Sequence, residues 1–222
     1  MESLDKTWEH VFRNNEWGKY PDESFIRFVA RNFYKTERAT IKLLEVGCGP
    51  GANIWYMARE GFDVYGIDGS HTAIEQAKRR LAQESLSANL QLGDVTVMPY
   101  ENETFDAVAD NECLTHNSWQ NLEVILSEIN RVLKPNGLFY SRTFTEKVYT
   151  GKTRKEIGRL EFTDVSDGPF AQRGFVRLTT KDDISRVYGE YFNVLSIDKI
   201  EFSLNSGQLL ISEWVINAKK DK

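Results

Sequence analysis

Three glycines crowd the stretch "EVGCGPGA", at Gly47, Gly49 and Gly51, between an apolar run and a helical pattern. Glycine gives up more conformational freedom on folding than any other residue, so the cluster needs a local reason: backbone at positive φ, or a ligand lying against bare main chain. Read as G-x-G-x-x-A, the stretch suits a nucleotide-binding turn, in which backbone amides and a helix N-terminus sit beside the ligand. Asp68 follows Gly47 by 21 residues, a spacing that suits an acid accepting hydrogen bonds from ribose hydroxyls. Taken alone, these residues permit a nicotinamide cofactor.

The elements that must position these residues alternate along the chain. "IKLLEVG" and "FDVYGID" read as buried strands around a helix, "ANIWYMAREG", which has Ile54, Met57 and Ala58 on one face and Gly61 as its stop. Ser70 is placed to cap the next helix, where Ile74, Ala77 and Leu81 share a face. "NLQLGD" and "FDAVAD" are the third and fourth strands. "NLEVILSEINRVLKPNG" is a helix whose end is marked by Pro135 and Gly137, and "GLFYSRTF" is the fifth strand. Strands alternating with helices imply right-handed crossovers and a parallel sheet covered on both faces. After a helix in "TKDDISRVYGEYF", two strand-like runs are separated only by "NSG", which makes them an antiparallel hairpin.

At 222 residues the chain can bury a full core, and its 41% apolar and 12% aromatic content agree with one domain. A net charge of −5 argues against non-specific binding to nucleic acid, which relies on clustered positive charge. No run of about 18 apolar residues is available to span a bilayer and no apolar signal run opens the chain, so the protein is expected to act in the cytoplasm, away from membranes. Cys48 and Cys113 are too few for a disulfide framework and lack the Cys/His spacing of a zinc site, so no metal is expected.

The order of the features is more telling than any one of them. Glu45-x-Gly47-x-Gly49-x-Gly51, the acid Asp68 closing the second strand, Gly93-Asp94-Val95 after the third, and the terminal hairpin together resemble the class I S-adenosylmethionine-dependent methyltransferases, in particular their small-molecule branch. The resemblance covers roughly residues 41–218. It implies a Rossmann-like, doubly wound α/β fold: a seven-stranded sheet, mostly parallel with a C-terminal antiparallel hairpin, and helices on both faces. It also implies S-adenosyl-L-methionine as cofactor, with S-adenosyl-L-homocysteine as product. In that reading Gly47, Gly49 and Gly51 approach the methionyl part and Glu45 orders the loop or meets the amino group. Asp68 holds the ribose with Gly69 and Ser70 beside the adenosine, and Asp94 and Val95 meet the adenine. Asn111 and Glu112 lie near the sulfonium and the acceptor.

Methyl transfer is chiefly a matter of alignment, and a base is needed only where the acceptor must lose a proton. His116, with an intrinsic pKa near 6.5, suits that task, and Glu112 is the second candidate. Residues 1–40 are expected to be a helical, mobile cap in which Trp17 or Tyr20 faces the sulfonium and Lys19 or Arg27 meets the cofactor carboxylate. Residues 41–144 form the cofactor core and 179–222 the closing helix and hairpin. Residues 145–178 are a long connection of the kind that forms lids or binding loops, on the acceptor side by the resemblance. Within them Lys147, Lys152, Arg154, Lys155 and Arg159 outnumber Glu146 and Glu156, which would favour an acidic small-molecule acceptor. Two rivals remain: an NADP-dependent oxidoreductase, which lacks a Tyr-x-x-x-Lys pair here, and a non-catalytic S-adenosylmethionine-binding protein.

Overall fold

The computed structural model describes residues 6–221. Five strands run parallel: β1 (Lys42–Val46), β2 (Asp63–Asp68), β3 (Asn89–Leu92), β4 (Phe105–Asn111) and β5 (Leu133–Phe144). β1 pairs on one side with β2 and on the other with β4, so the chain winds outward to β3 and then crosses back. Beyond β5 lie β10 (Leu209–Lys219) and β9 (Asn193–Leu204), both antiparallel, giving the order β3-β2-β1-β4-β5-β10-β9. The winding reverses between β1 and β4, and in such sheets ligands bind at the carboxyl ends of the strands beside that point.

Strand alternation sends neighbouring side chains to opposite faces, and two cores follow from it. Leu43, Val64, Ala107 and Tyr140 pack against α2 (Glu23–Phe33), α3 (Ala52–Arg59) and α4 (His71–Ala82). Leu44, Ile67, Val108 and Phe139 pack against α5 (Trp119–Val132) and α6 (Lys181–Val187). Hydroxyl caps start three of these helices: Ser70 accepts from Ala73 N, Ser118 from Asn121 N, and Thr180 forms a reciprocal capping box with Asp183.

Three expectations need correction. The helix before the fifth strand ends at Val132, and Pro135 and Gly137 belong to the start of β5. Proline disfavours helical backbone in the residue before it, so the helix stops short of Lys134, and a register shift between Phe105 and Ala107 absorbs the irregular start. The connection 145–178 is built rather than loose. It forms an antiparallel sheet of β6 (Lys155–Gly158), β7 (Glu161–Thr163) and β8 (Val176–Arg177), closed over its own core of Phe144, Val148, Phe162, Phe170 and Leu178.

The N-terminal 40 residues are not one cap. Residues 1–5 lie outside the described part, α1 (Lys6–Asn14) lies along α4, and α2 is part of the main core through Phe25, Phe28, Val29 and Phe33. Among the described residues no helix is long and apolar enough to cross a membrane. Phe25 is fully buried against Tyr56 and Tyr140, so Phe25→Ala should cost about 3–5 kcal/mol in denaturant unfolding, as expected for a large core truncation. Trp8→Ala, on α1, should leave the unfolding midpoint nearly unchanged.

Candidate active site

At the carboxyl ends of β1, β2 and β4 the glycine turn opens into a cavity of about 280 Å³. Gly47, Gly49 and Gly51 all adopt positive φ. At Gly47 a Cβ would come within 2.3 Å of the Cys113 Cβ, and at Gly51 within 2.8 Å of the Ala77 Cβ, so the turn and its neighbours close only on bare backbone. Asp68 ties this turn to the next. One carboxylate oxygen accepts from Gly49 N at 2.8 Å and the other from Ser70 N at 2.8 Å. Burial raises the Asp68 pKa, against the two amide hydrogen bonds that lower it.

Four orphaned or open acceptors bear on what the cavity holds. Glu45 accepts from Asn53 Nδ2 at 2.7 Å through Oε1, while Glu45 Oε2, Asn53 Oδ1 and Asn111 Oδ1 are buried without a partner among the described residues. Burial pushes the Glu45 carboxyl well above its ordinary range. Buried polar groups are normally satisfied, so these three acceptors, all on the cavity wall, fit a ligand that brings donors such as an ammonium group. Asp94 binds Thr96 N and Oγ1 through one oxygen, both at 2.8 Å, and its other oxygen makes no such bond.

The turn after β4 is held from below. Asp110, wholly buried, accepts from Cys113 N at 2.9 Å, Leu114 N at 3.0 Å and Ser141 Oγ at 2.6 Å. Burial pushes its carboxyl up to about 6. That clamp leaves Glu112 at φ +67°, a rare backbone state that local bonding must enforce. Arg142 binds Glu213 through Nε and the guanidinium tip, and also faces Asp22 at 3.3 Å and Glu112 at 3.8 Å. Burial and the neighbouring Glu213 raise the Glu112 pKa, and Arg142 opposes them. His116 bonds the Phe175 carbonyl through Nδ1 at 2.7 Å. A carbonyl only accepts, so Nδ1 carries the proton of this hydrogen bond.

Of the residues expected at the site, Glu45, Gly47, Gly49, Asp68, Gly69, Ser70, Asp94, Val95, Asn111, Glu112, His116 and Trp17 line the cavity. Gly51 shapes the turn from behind as the N-cap of α3. Tyr20 does not reach the site: it is 74% exposed with its ring edge-on to Trp55. Arg80 holds the Trp17 carbonyl at 3.0 Å and Lys19 pairs with Glu84, so the chain leaves the cavity after Trp17. Arg27 likewise pairs with Glu23 on the exposed side of α2. None of the basic residues of 146–159 lines the cavity: Arg159 is bidentate on Asp183 and Arg154 lies over the Phe162 ring.

Sequence reasoning missed Trp8, Phe12, Asn53, Cys113 and Arg173. Trp8 and Phe12 are four apart on one helix, with rings 5.4 Å apart, a pattern the sequence does contain. They form an aromatic wall with Trp17, and Trp8 meets the His116 ring edge-on at 4.6 Å.

Residues 44–141 match the methyltransferase domain family. A ubiquinone biosynthesis O-methyltransferase of Bartonella tribocorum is 34% identical over 103 residues, 46% of this chain and 41% of the relative. The chain thus spans less than half the length of the curated relatives it matches. An S-adenosylmethionine-dependent methyltransferase from Methanosarcina mazei superposes with a TM-score of 0.69 at 20% identity, over 81% of this chain and 92% of that one. Another neighbour is the 1,6-didemethyltoxoflavin-N1-methyltransferase of Burkholderia thailandensis, solved with 1,6-didemethyltoxoflavin and S-adenosylhomocysteine. It has a TM-score of 0.64 at 17% identity, over 90% of this chain and 78% of that one. Over residues 44–141 the chain is thus similar to the methyltransferase domain family, and its fold is that of the S-adenosylmethionine-dependent methyltransferases.

α1 is fastened over the cavity by one carboxylate. Glu9 accepts from Ser70 Oγ and Thr72 Oγ1, both at 2.6 Å, and from Thr72 N at 3.1 Å. The Ser70 bond, then the Thr72 bond, lower its pKa from 4.5 to about 2. Because the folded pKa lies below the unfolded one, the fastening is complete above about pH 5 and is lost as pH falls toward 2. Tryptophan fluorescence should therefore report a transition from Trp8 and Trp17 in that window, and Glu9→Gln should flatten it.

Proposed function

We propose that the protein is an enzyme that transfers a methyl group from S-adenosyl-L-methionine to a small-molecule acceptor by in-line displacement. The observation that carries this reading is the pair of buried acceptors unpartnered among the described residues, Glu45 Oε2 and Asn111 Oδ1, on two residues that line the cavity beside a glycine cradle. Glu45 and Asn111 would meet the cofactor's amino group, Gly47 and Gly49 its methionyl chain, Asp68 its ribose, and Asp94 with the Val95 amide its adenine. Bound there, the cofactor supplies an electrophilic methyl on a positively charged sulfur.

What the chain adds is position and dryness. Trp8, Phe12 and Trp17 wall one side of the cavity and exclude water, and the Asp110 clamp fixes the turn that carries Asn111 and Glu112. Where the acceptor must lose a proton, His116 Nε2 is the acceptor we assign. Glu112, whose pKa is raised, is the alternative proton holder.

Calorimetry with S-adenosylmethionine, S-adenosylhomocysteine and NADPH tests the reading; the first two should bind and NADPH should not. Asp68→Ala should weaken S-adenosylhomocysteine by roughly ten-fold or more, since it removes acceptors for the ribose and releases the Gly49 amide. Incubation with fractionated metabolites should release S-adenosylhomocysteine. Binding without any release would instead support a non-catalytic cofactor-binding protein. For a hydroxyl acceptor, His116→Ala should lower kcat by about 10²- to 10⁴-fold with cofactor affinity unchanged.

A further inference from the structure

Arg173 stands on the cavity wall without an ion pair among the described residues. It belongs to the segment between β7 and β8, and its guanidinium lies 5.0 Å from the Trp17 ring centroid and 5.9 Å from that of Trp8. No described carboxylate forms an ion pair with it, and its side chain makes no hydrogen bond to the described residues. Of the other arginines around it, Arg142 is bound to Glu213 and Arg80 donates to the Trp17 carbonyl, and neither of them lines the cavity. Burial lowers the Arg173 pKa and the field of Glu112 opposes that, yet guanidinium stays charged at any working pH.

Two physical facts decide what such a residue is for. A guanidinium offers five donors in a planar fork that matches a carboxylate in bidentate fashion. The reaction also brings a second cation, the sulfonium, into the same cavity. An acceptor that carries its own negative charge answers both. The Trp8, Phe12 and Trp17 rings beside Arg173 offer flat apolar surface. From Arg173 and this aromatic wall, we propose that the methyl acceptor is a small planar aromatic acid, whose carboxylate or equivalent anion is held by the Arg173 guanidinium. The proposal rests on the methyltransferase reading and names its substrate class. It also moves acid recognition from the basic stretch 146–159, none of whose basic residues lines the cavity, to one arginine further along the same insertion.

The anion that Arg173 awaits could be the acceptor's or the α-carboxylate of the cofactor, and the test separates them. The protein loaded with S-adenosylhomocysteine is titrated with 3,4-dihydroxybenzoate and with 3,4-dihydroxybenzamide, which differ in charge and hardly in shape. We expect the acid to bind about ten-fold or more tightly than the amide. Arg173→Gln should abolish that preference and Arg173→Lys keep part of it, with S-adenosylhomocysteine affinity changed by less than about two-fold in both. Equal affinities, or no binding of either probe to the wild-type complex, overturn the proposal without reference to any variant. Loss of S-adenosylhomocysteine affinity in Arg173→Gln overturns it in favour of the cofactor carboxylate. Failure of the unaltered protein to bind S-adenosylhomocysteine at all overturns the methyltransferase reading, and the proposal with it.

Discussion

The carboxylate of Asp68 is the point at which separate segments of the chain are fixed to one another. Its two oxygens take the Gly49 amide from the first turn and the Ser70 amide from the second, and the Ser70 hydroxyl goes on to Glu9 of the N-terminal helix. The glycine turn, the start of α4 and the helix over the cavity are thus positioned through one residue at the end of β2. Desolvation works against the charged form of so buried a group, and the backbone amides offset it. In the function proposed above, a ribose would use the remaining lone pairs of the same oxygens, so the group that orders the turn would also read the ligand.

A second buried carboxylate does the equivalent work across the switch point. Asp110 draws in the backbone after β4, and Arg142, from the neighbouring β5, then binds Glu213 of β10 and faces Asp22 at the cap of α2. Asp22 accepts from Phe25 N, so the helix that completes the core begins in the same cluster of charges that lies behind Glu112. The two strand ends are therefore built alike: an acid gathers amides, and its neighbours extend outward to an N-terminal helix. The contacts that hold α1 over the site are more exposed than those around Asp68 and Asp110, with the Glu9 side chain 30% accessible.

What the sequence made legible follows from how local each cause is. The glycine turn, the Ser70 cap and the hairpin depend on residues a few positions apart, and all three stand where the pattern put them. The end of α5 was misread because proline acts on the residue before it, not at its own position. The small sheet escaped notice because strands of two to four residues carry too little alternation to register. Tyr20 and Lys19 were misassigned because their direction is set by Arg80 and Glu84, some 60 positions away in the chain. Arg173 had no local signal at all, since its meaning comes from two tryptophans more than 150 residues earlier.

The placement of β10 bears on how the molecule comes into being. β5 pairs with β4 on one side, but its other neighbour, β10, is separated from it by the whole of the small sheet, α6 and β9. During vectorial synthesis the outer edge of β5 must wait, with its amides and carbonyls unpaired, until residues 209–219 have emerged. An unpaired strand of twelve residues is a template for pairing with another chain. The nascent protein is therefore most prone to self-association in the interval between completing β5 and inserting β10, and shielding by chaperones matters most in that interval.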